Sequence, residues 1–396
     1  MNRDRSKPIE RFALFAALVF SVASHPRAGA ADPPATVGRR HRHGSAAGRD
    51  SDRMRRRSRY GHTLDPITRH GRPIRIPLTS SPVAFAPPPA VDAGAVPTRP
   101  YDHVVILSID GLRPDAIDMS DTPNLRMLRA QGGVGTEART ITHSYTLPSH
   151  ASMLTGVDTD RHGLLHNNFT PRHGFVRVPT VFYYAHDERL ATAMFVSKPK
   201  LRHIAIPGSV DVFDRPDYAC PRVVASAAAY LATAPAGVTF VHLSEPDEYG
   251  HSRGWMTEAY LRGVADADRC VGTLLTGIAQ RHDLGRVLII VSADHGGHGR
   301  THGSEREDDM RIPWIVWGSR VARGPYAGPV NTMDTAATAL VALGVHLPDG
   351  LTGRPVSIAL GPAPAPHAAM VAATSERARP ASPAIPTPAP SSTVTR

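Results

Sequence analysis

Five apolar runs of β-strand type alternate with helix-like stretches, and this alternation restricts the fold of the chain more than any other feature. The runs lie near residues 103–109, 191–197, 238–244, 286–292 and 312–317. Helical patterns separate or follow them in TPNLRMLRAQG, SHASMLTG, VVASAAAYLATA, the stretch from Thr257 to Ile278, and TMDTAATALVALG. Continuous Val/Ile/Leu runs are typical of strands buried on both faces, and their alternation with helices favours a mostly parallel sheet. The sequence therefore predicts one α/β domain, layered as a sandwich, over residues 100–360.

Side chains of the types that commonly bind metals follow three of these runs. They are Asp110, Asp247, His251, Asp294, His295 and His302. Open α/β sheets bind ligands beyond the carboxyl ends of their strands, so these side chains are expected to meet in one site. Carboxylates and imidazoles suit zinc, manganese or iron, and the chain has no thiolate cluster of the kind that holds a structural zinc. We expect a metal site that supports hydrolytic chemistry.

The spacing within these clusters gives two different expectations. Asp247 and His251 are one helical turn apart, so a helix or a tight loop lets both face one ion. Asp294 and His295 are adjacent, and neighbours in extended backbone point to opposite sides, which predicts that they diverge.

Thr146 lies between the first and second clusters, in SYTLPSHASMLTG. A proline and helix-compatible residues follow it, which places its hydroxyl near a helix N-terminus, where free N–H groups and the helix dipole favour anions. A threonine that only caps this helix is the structural alternative. A threonine hydroxyl becomes an effective nucleophile when a base or a metal lowers its pKa, and the predicted carboxylates could hold that metal.

The two ends of the chain differ in composition from the middle. Residues 1–30 combine basic residues, a short apolar stretch over 12–23 and small residues at 28–30. This is typical of a cleaved signal peptide and predicts export to the periplasm or the cell exterior, with an uncleaved anchor as the alternative. Residues 31–99 are basic and rich in Arg and Pro, and residues 361–396 are rich in Pro and Ala, so both are expected to be disordered linker or tail.

The net charge of +10 belongs to the N-terminal segment. Residues 1–99 contain 18 Lys/Arg and 7 Asp/Glu, a balance of +11, so the remainder sums to −1. We expect from this segment a weak contact with an anionic surface and no specific nucleic-acid partner. Cys220 and Cys270 could pair in an exported protein or remain two buried thiols. The oligomeric state is left open.

Five motifs carry a resemblance to a known family: IDGLRPD, TLPSHASMLTGVDTDRHGLLHN, EPDEYGH, SADHGGHG and THG. In this order they resemble the alkaline phosphatase superfamily, in its type I phosphodiesterase/nucleotide pyrophosphatase branch. The resemblance implies an alkaline-phosphatase-like three-layer sandwich with two divalent metal ions, expected to be Zn²⁺. One ion would be held by Asp110, Thr146, Asp294 and His295, and the other by Asp247, His251 and His302. His298 competes with His302, because GGHG and RTHG are both histidine–glycine pairs.

The same resemblance implies hydrolysis of a phosphoric ester through a covalent phosphothreonine at Thr146. Asn167 would contact a phosphoryl oxygen, and the Leu147 N–H is expected to assist it. A threonine at this position, in place of an oxidisable cysteine or serine, argues against a sulfatase. We therefore expect a phosphodiesterase or nucleotide pyrophosphatase that acts on a small-molecule or lipid phosphoester.

Two basic residues make a phosphomonoesterase the alternative. Lys198 and Lys200 follow the strand ATAMFVS, where some monoesterases of the superfamily hold a terminal phosphate, and both are therefore candidates for substrate binding. A solvated basic loop would explain them equally well. An alternative of another class is an inert binding or envelope-organising relative of the enzymes, which the complete set of ligand residues argues against.

Overall fold

The computed structural model describes residues 99–361 and two short strands, Thr68–Arg69 and Arg72–Pro73, which pair antiparallel with each other. The predicted signal peptide, almost all of the predicted basic linker and the predicted Pro/Ala-rich tail lie outside the described residues. Among the helices of the described part, none is long and apolar enough to cross a membrane.

An eight-stranded sheet forms the centre of the domain. Its strands are β1 (His103–Ile109), β2 (Gly133–Arg139), β3 (Ala191–Val196), β4 (Val212–Asp214), β5 (Gly237–Leu243), β6 (Val287–Ser292), β7 (Trp314–Trp317) and β8 (Gly324–Asn331). They lie side by side in the order β8-β2-β7-β6-β1-β5-β3-β4. Within this sheet only β7 pairs antiparallel with its neighbours, so the predicted mostly parallel sheet is confirmed.

The helices pack in two groups, and with the sheet they make three layers. The α-helices are α1 (Ala116–Met119), α2 (Pro123–Gln131), α3 (Thr146–Thr155), α4 (Thr159–His162), α5 (Val181–Asp187), α6 (Cys220–Leu231), α7 (Asp247–Arg253), α8 (Glu258–Ala279), α9 (Glu307–Met310) and α10 (Asp334–Ala342). Short 3₁₀ helices cover Pro171–His173, Pro199–Ile204, Leu284–Arg286 and Ser357–Ala359. One group packs around α8 and contains α2, α6 and α7, whereas α3 and α5 pack against α10.

The centre of the sheet brings the sequence clusters together. Strand β1 pairs parallel with β5 on one side and with β6 on the other, and every residue of the three strands is buried. Because parallel strands end at the same edge, the segments that follow them emerge side by side. The Asp110 N–H donates to the Leu243 carbonyl at 3.0 Å, so this pairing continues past the end of β1.

The five predicted strands are present within two residues, but three others were not predicted. Two of these, β2 and β8, are partly exposed and include glycines or prolines, which weakens a strand pattern. The third, β4, has only three residues. The helix predicted from SHASMLTG begins earlier, at Thr146, because Pro148 fits the first turn of a helix.

Cys220 and Cys270 form a disulfide, which decides between the two alternatives for these residues. It connects the first turn of α6 to the middle of α8, and both cysteines are 1% exposed.

Replacing both cysteines by alanine should lower the free energy of unfolding by about 4 kcal/mol. The bond joins residues 50 positions apart, and closing a loop of that length reduces the entropy of the unfolded chain. Chemical unfolding of the double variant beside the wild-type protein measures this difference. A loss below about 1 kcal/mol would mean that the helices, and not the bond, hold this contact.

Candidate active site

Asp110, Asp294 and His295 form one buried group at the carboxyl edge of β1 and β6. The His295 Nε2 atom lies 3.1 Å from Asp294 Oδ2 and 3.5 Å from Asp110 Oδ1. The expectation that Asp294 and His295 diverge is wrong. The backbone bends at Asp294, just after β6, so the alternation of an extended strand no longer applies there.

Asp247, His251 and His302 form a second group beside the first. Asp247 and His251 lie one turn apart on α7, with His251 Nε2 at 3.5 Å and His302 Nε2 at 3.8 Å from Asp247 Oδ1. His298, the competing candidate, lies elsewhere, with its Nδ1 atom 2.7 Å from Asp309. The structure thus brings His302, and not His298, to the second group.

Backbone carbonyls orient the three histidines. The Nδ1–H groups of His251, His295 and His302 donate to the carbonyls of Arg300, Gly296 and Ser144, at 3.1, 2.8 and 2.8 Å. A carbonyl oxygen can only accept, so in each ring Nδ1 carries a proton and Nε2 faces the carboxylates. Metal-bound histidines usually have this arrangement.

The two groups fit divalent cations. Two of their carboxylate oxygens, Asp110 Oδ1 and Asp247 Oδ1, are buried without a hydrogen-bond partner, whereas Asp294 Oδ2 and His295 Nε2 form an ion pair at 3.1 Å. Leaving such atoms unpaired is costly, and a bound cation removes the cost. Oxygen and imidazole donors in this number suit zinc and related metals.

Buried charges shift the pKa values of these groups. Burial disfavours the charged form of His295, but Asp294 raises its pKa to about 9. Burial and the nearby Asp110 would raise the pKa of Asp294, yet His295 and His150 bring it down to about 2. Burial and His295 lower the pKa of His302 to about 4. At neutral pH His302 is therefore neutral and ready to bind a metal, whereas His295 has to release a proton first.

Lys198 lies between the two groups. Its Nζ atom is 2.8 Å from Asp110 Oδ2 and 2.5 Å from Asp247 Oδ2, and the residue is only 2% exposed. His242 Nε2 also donates to Asp110 Oδ2, at 2.9 Å. Burial disfavours charge on Lys198, but Asp110 and Asp247 raise its pKa well above the usual value. Lys198, predicted to bind substrate, thus contacts two predicted metal ligands.

Gly111 allows the two groups to approach each other. Its φ of +71° is unfavourable for other residues, and an added Cβ would lie 3.0 Å from the Cα of Asp247. The Gly111 N–H donates to Asp294 Oδ1, and the Asp247 N–H donates to the Asp110 carbonyl, both at 3.1 Å.

Thr146 is the first residue of α3 and is 1% exposed. The helix has no side-chain capping bond at this end, so the structure does not give Thr146 the role of a simple cap. One turn later, His150 donates from Nδ1 to the Thr146 carbonyl at 2.7 Å and accepts from the Ser108 hydroxyl at 2.8 Å. Burial lowers the pKa of His150 to about 4, so the neutral ring that these two bonds require is the stable form.

Asn167 lies beside the N-terminus of α3. Its Oδ1 atom accepts from the Leu147 N–H at 3.0 Å and from Lys200 Nζ at 3.2 Å. The amide oxygen is therefore occupied, and the amide nitrogen remains to donate to a ligand. The expected direct role of the Leu147 N–H needs correction, because this group holds Asn167 instead. Burial and Lys198 lower the pKa of Lys200.

Three residues that shape the site were not predicted from the sequence. His150 holds the Thr146 segment, His242 holds Asp110, and Asp309 accepts from His298 and Ser304 in the loop that carries His302. His242 is an imidazole in a fully buried strand, and its position there was the available signal.

Known proteins share both the sequence pattern and the fold. Residues 104–189 and 183–305 match the family model of type I phosphodiesterase/nucleotide pyrophosphatase. Ectonucleotide pyrophosphatase/phosphodiesterase family member 3 of Mus musculus is 26% identical over 216 residues, which cover 49% of this chain and 24% of that protein. Family member 7 of Mus musculus is 25% identical over 242 residues, 54% of each chain. The chain thus spans about half of these curated relatives or less.

A solved structure of murine ectonucleotide pyrophosphatase/phosphodiesterase 5 has a TM-score of 0.52 and 15% identity. The match covers 62% of this chain and 96% of that chain, and at this identity it shows a shared alkaline-phosphatase-like fold. The family model covers residues 104–305, about half of the chain, and that range includes both groups of candidate metal ligands, Thr146 and Asn167. The chain therefore belongs to the type I phosphodiesterase/nucleotide pyrophosphatase family.

Proposed function

We propose that the protein is a metal-dependent phosphoric-ester hydrolase of the phosphodiesterase or pyrophosphatase type. The observation that carries this proposal is the pair of adjacent groups of carboxylates and imidazoles, in which Asp110 Oδ1 and Asp247 Oδ1 are buried without a hydrogen-bond partner. The segment around Thr146 contacts both groups. His302 of the second group donates to the carbonyl of Ser144, two residues before Thr146, and the Nδ1 atom of His150, one helical turn after Thr146, lies 3.5 Å from Asp294 of the first group. An inert relative would have no reason to keep these costly buried atoms.

Each residue of the site has a distinct role in this proposal. One ion, expected to be zinc, would be held by Asp110, Thr146, Asp294 and His295, and a second by Asp247, His251 and His302. When bound, the ions lower the pKa of the attacking hydroxyl and neutralise charge on the phosphoryl and leaving oxygens. The Thr146 oxygen forms a bond to phosphorus as the bond to the leaving oxygen breaks, which gives a phosphothreonine. Water then cleaves this ester and regenerates the threonine.

Asn167 holds the phosphoryl group during these steps. Its amide nitrogen donates to a non-bridging oxygen, while Leu147 and Lys200 fix the amide oxygen. The position of Asn167 at the start of α3 also exposes the phosphoryl group to the positive end of the helix dipole.

A phosphomonoesterase is the second candidate, and Lys200 favours it. A terminal phosphate carries more negative charge than a diester, so a nearby ammonium group benefits it more. Because Lys200 Nζ contacts Asn167 Oδ1, a phosphoryl oxygen bound to the Asn167 amide nitrogen would lie close to this cation.

A paired assay decides between the two activities. Bis-p-nitrophenyl phosphate and p-nitrophenyl phosphate are compared at equal concentration with zinc supplied, and Thr146→Ala is the blank. Faster cleavage of the diester supports the phosphodiesterase. Faster cleavage of the monoester supports the phosphatase, and no cleavage of either substrate contradicts the proposed hydrolase with these probes.

Replacing Lys200 by methionine in the same assay should lower kcat/KM for the monoester about 10-fold or more. The variant removes a charge-assisted contact that a dianionic group uses most, so the diester should change by less than about threefold. Equal losses for both substrates would argue against a contact that is selective for terminal phosphate.

We infer export for the whole chain. The basic start and apolar stretch of residues 1–30 support it, and so does the Cys220–Cys270 disulfide, because such bonds persist in oxidising compartments. The proposed substrate is a small-molecule or lipid phosphoester.

A further inference from the structure

The ammonium group of Lys198 contacts one oxygen of each of two carboxylates that belong to different metal groups. These oxygens are Asp110 Oδ2 and Asp247 Oδ2, at 2.8 and 2.5 Å. The other oxygen of each carboxylate, Oδ1, is buried and has no hydrogen-bond partner. Lys200, only two residues further along the chain, contacts Asn167 instead. The two lysines that the sequence pairs as substrate ligands thus have separate environments.

We propose that Lys198 is a positioning residue that links the two metal sites and makes no contact with the substrate. The inference rests on one part of the proposed function, the binding of two metal ions, and does not depend on the hydrolysis. Lys198 holds each carboxylate by Oδ2, so each turns Oδ1 toward its own group of ligands. His242 holds the same Asp110 oxygen, which leaves Oδ1 as the atom of Asp110 that is free to meet a cation.

The surroundings of Lys198 leave little room for a phosphoryl oxygen. An ammonium group has three N–H bonds, and Asp110 and Asp247 accept two of them. Glu248 Oε1 lies 4.0 Å from Nζ and would repel a phosphate. The residue is 2% exposed, so very little of its surface is open to a substrate.

Lys198 also compensates buried negative charge when the ions are absent. Asp110 and Asp294 are 0% exposed and Asp247 is 2% exposed. Removing one partner from a buried ion pair leaves an uncompensated charge, which is strongly destabilising. Replacing a lysine that contacted only the substrate would not destabilise the metal-free protein in this way.

Thermal unfolding of the metal-free, full-length protein tests the proposal without any substrate. Lys198→Met keeps the length of the side chain and removes its charge, and Lys200→Met is the matched control. The Lys198 variant should unfold about 6 °C or more below the wild type, and the Lys200 variant within about 2 °C. Equal unfolding temperatures for wild type and Lys198→Met would overturn the proposal.

Zinc binding and kinetics give two further readouts. Calorimetric titration of the metal-free protein should show about two ions bound to the wild type and to Lys200→Met, with the weaker ion bound at least about 10-fold less tightly by Lys198→Met. Turnover by Lys198→Met should fall by similar factors for the diester and the monoester. Normal zinc binding with a loss confined to the monoester would instead assign Lys198 to the substrate.

If Lys198→Met does not fold without metal, Lys198→Arg answers the same question. This variant retains the charge, so it should fold and bind two ions, with equal changes for both substrates. A selective loss for the monoester in this variant would overturn the proposal. Because unfolding and zinc binding need no substrate, the proposed hydrolysis can fail while this inference holds, and the reverse also applies.

Discussion

Replacing Thr146 by alanine should lower kcat/KM for either nitrophenyl ester by at least about 10³-fold. The variant removes the only atom that forms the proposed covalent bond to phosphorus, and loss of a nucleophile is among the largest effects that one substitution has. The protein should still bind about two zinc ions, because Asp110, Asp294 and His295 remain at the first site. Steady-state kinetics and metal analysis of the same preparation measure both quantities.

Two matched variants make the Thr146 result specific. Thr146→Ser keeps a hydroxyl at the same place and should recover part of the activity. Thr155→Ala changes a threonine at the other end of α3, whose hydroxyl donates to the Ala151 carbonyl, and should leave turnover nearly unchanged. Turnover by Thr146→Ala within tenfold of wild type would exclude a covalent phosphothreonine at this residue.

Replacing His302 by alanine should remove about one of two bound zinc ions and lower turnover at least about 10²-fold. Its Nε2 atom faces Asp247 and its Nδ1 atom donates to the Ser144 carbonyl, so the ring is oriented toward the second group. Loss of a ligand in a two-metal site weakens both binding and charge neutralisation. Metal analysis after dialysis checks the first effect, and kinetics at saturating zinc checks the second.

His298→Ala is the matched control for this variant. His298 lies four residues before His302 in the same loop, but it contacts Asp309 and not Asp247. We expect its variant to keep two ions while it loses stability, because the buried Asp309 loses a partner. Should His298→Ala lose an ion while His302→Ala keeps both, the ligand assignment would have to be exchanged.

The sequence predicts that the three carboxylates converge, because each follows a buried strand. The runs that become β1, β5 and β6 are continuous and apolar, and parallel strands share one carboxyl edge, so Asp110, Asp247 and Asp294 had to emerge together. Strands that lack such a pattern, such as β2 and β8, could not be recognised in this way.

Contacts across the sheet could not be predicted from the sequence. Lys198 meets Asp247 across 49 residues because β3 lies beside β5, and one sequence does not give the order of strands. The convergence of Asp294 and His295 depends on a backbone bend, and the choice between His298 and His302 depends on the fold of their loop. These features are set by tertiary structure and not by the local pattern.

The N–H of Asp247 donates to the carbonyl of Asp110, and this single bond relates the two ion sites to the geometry of the sheet. Adjacent strands are spaced about 4.8 Å apart, and paired catalytic ions are about 4 Å apart. Because one carboxylate follows β1 and the other follows its neighbour β5, the spacing of the strands sets the distance between the two candidate ion sites. Moving the two candidate sites apart would require separating two buried strands that pair along seven residues. We therefore expect the amides of β1 and β5 to exchange hydrogen slowly even before any metal has bound.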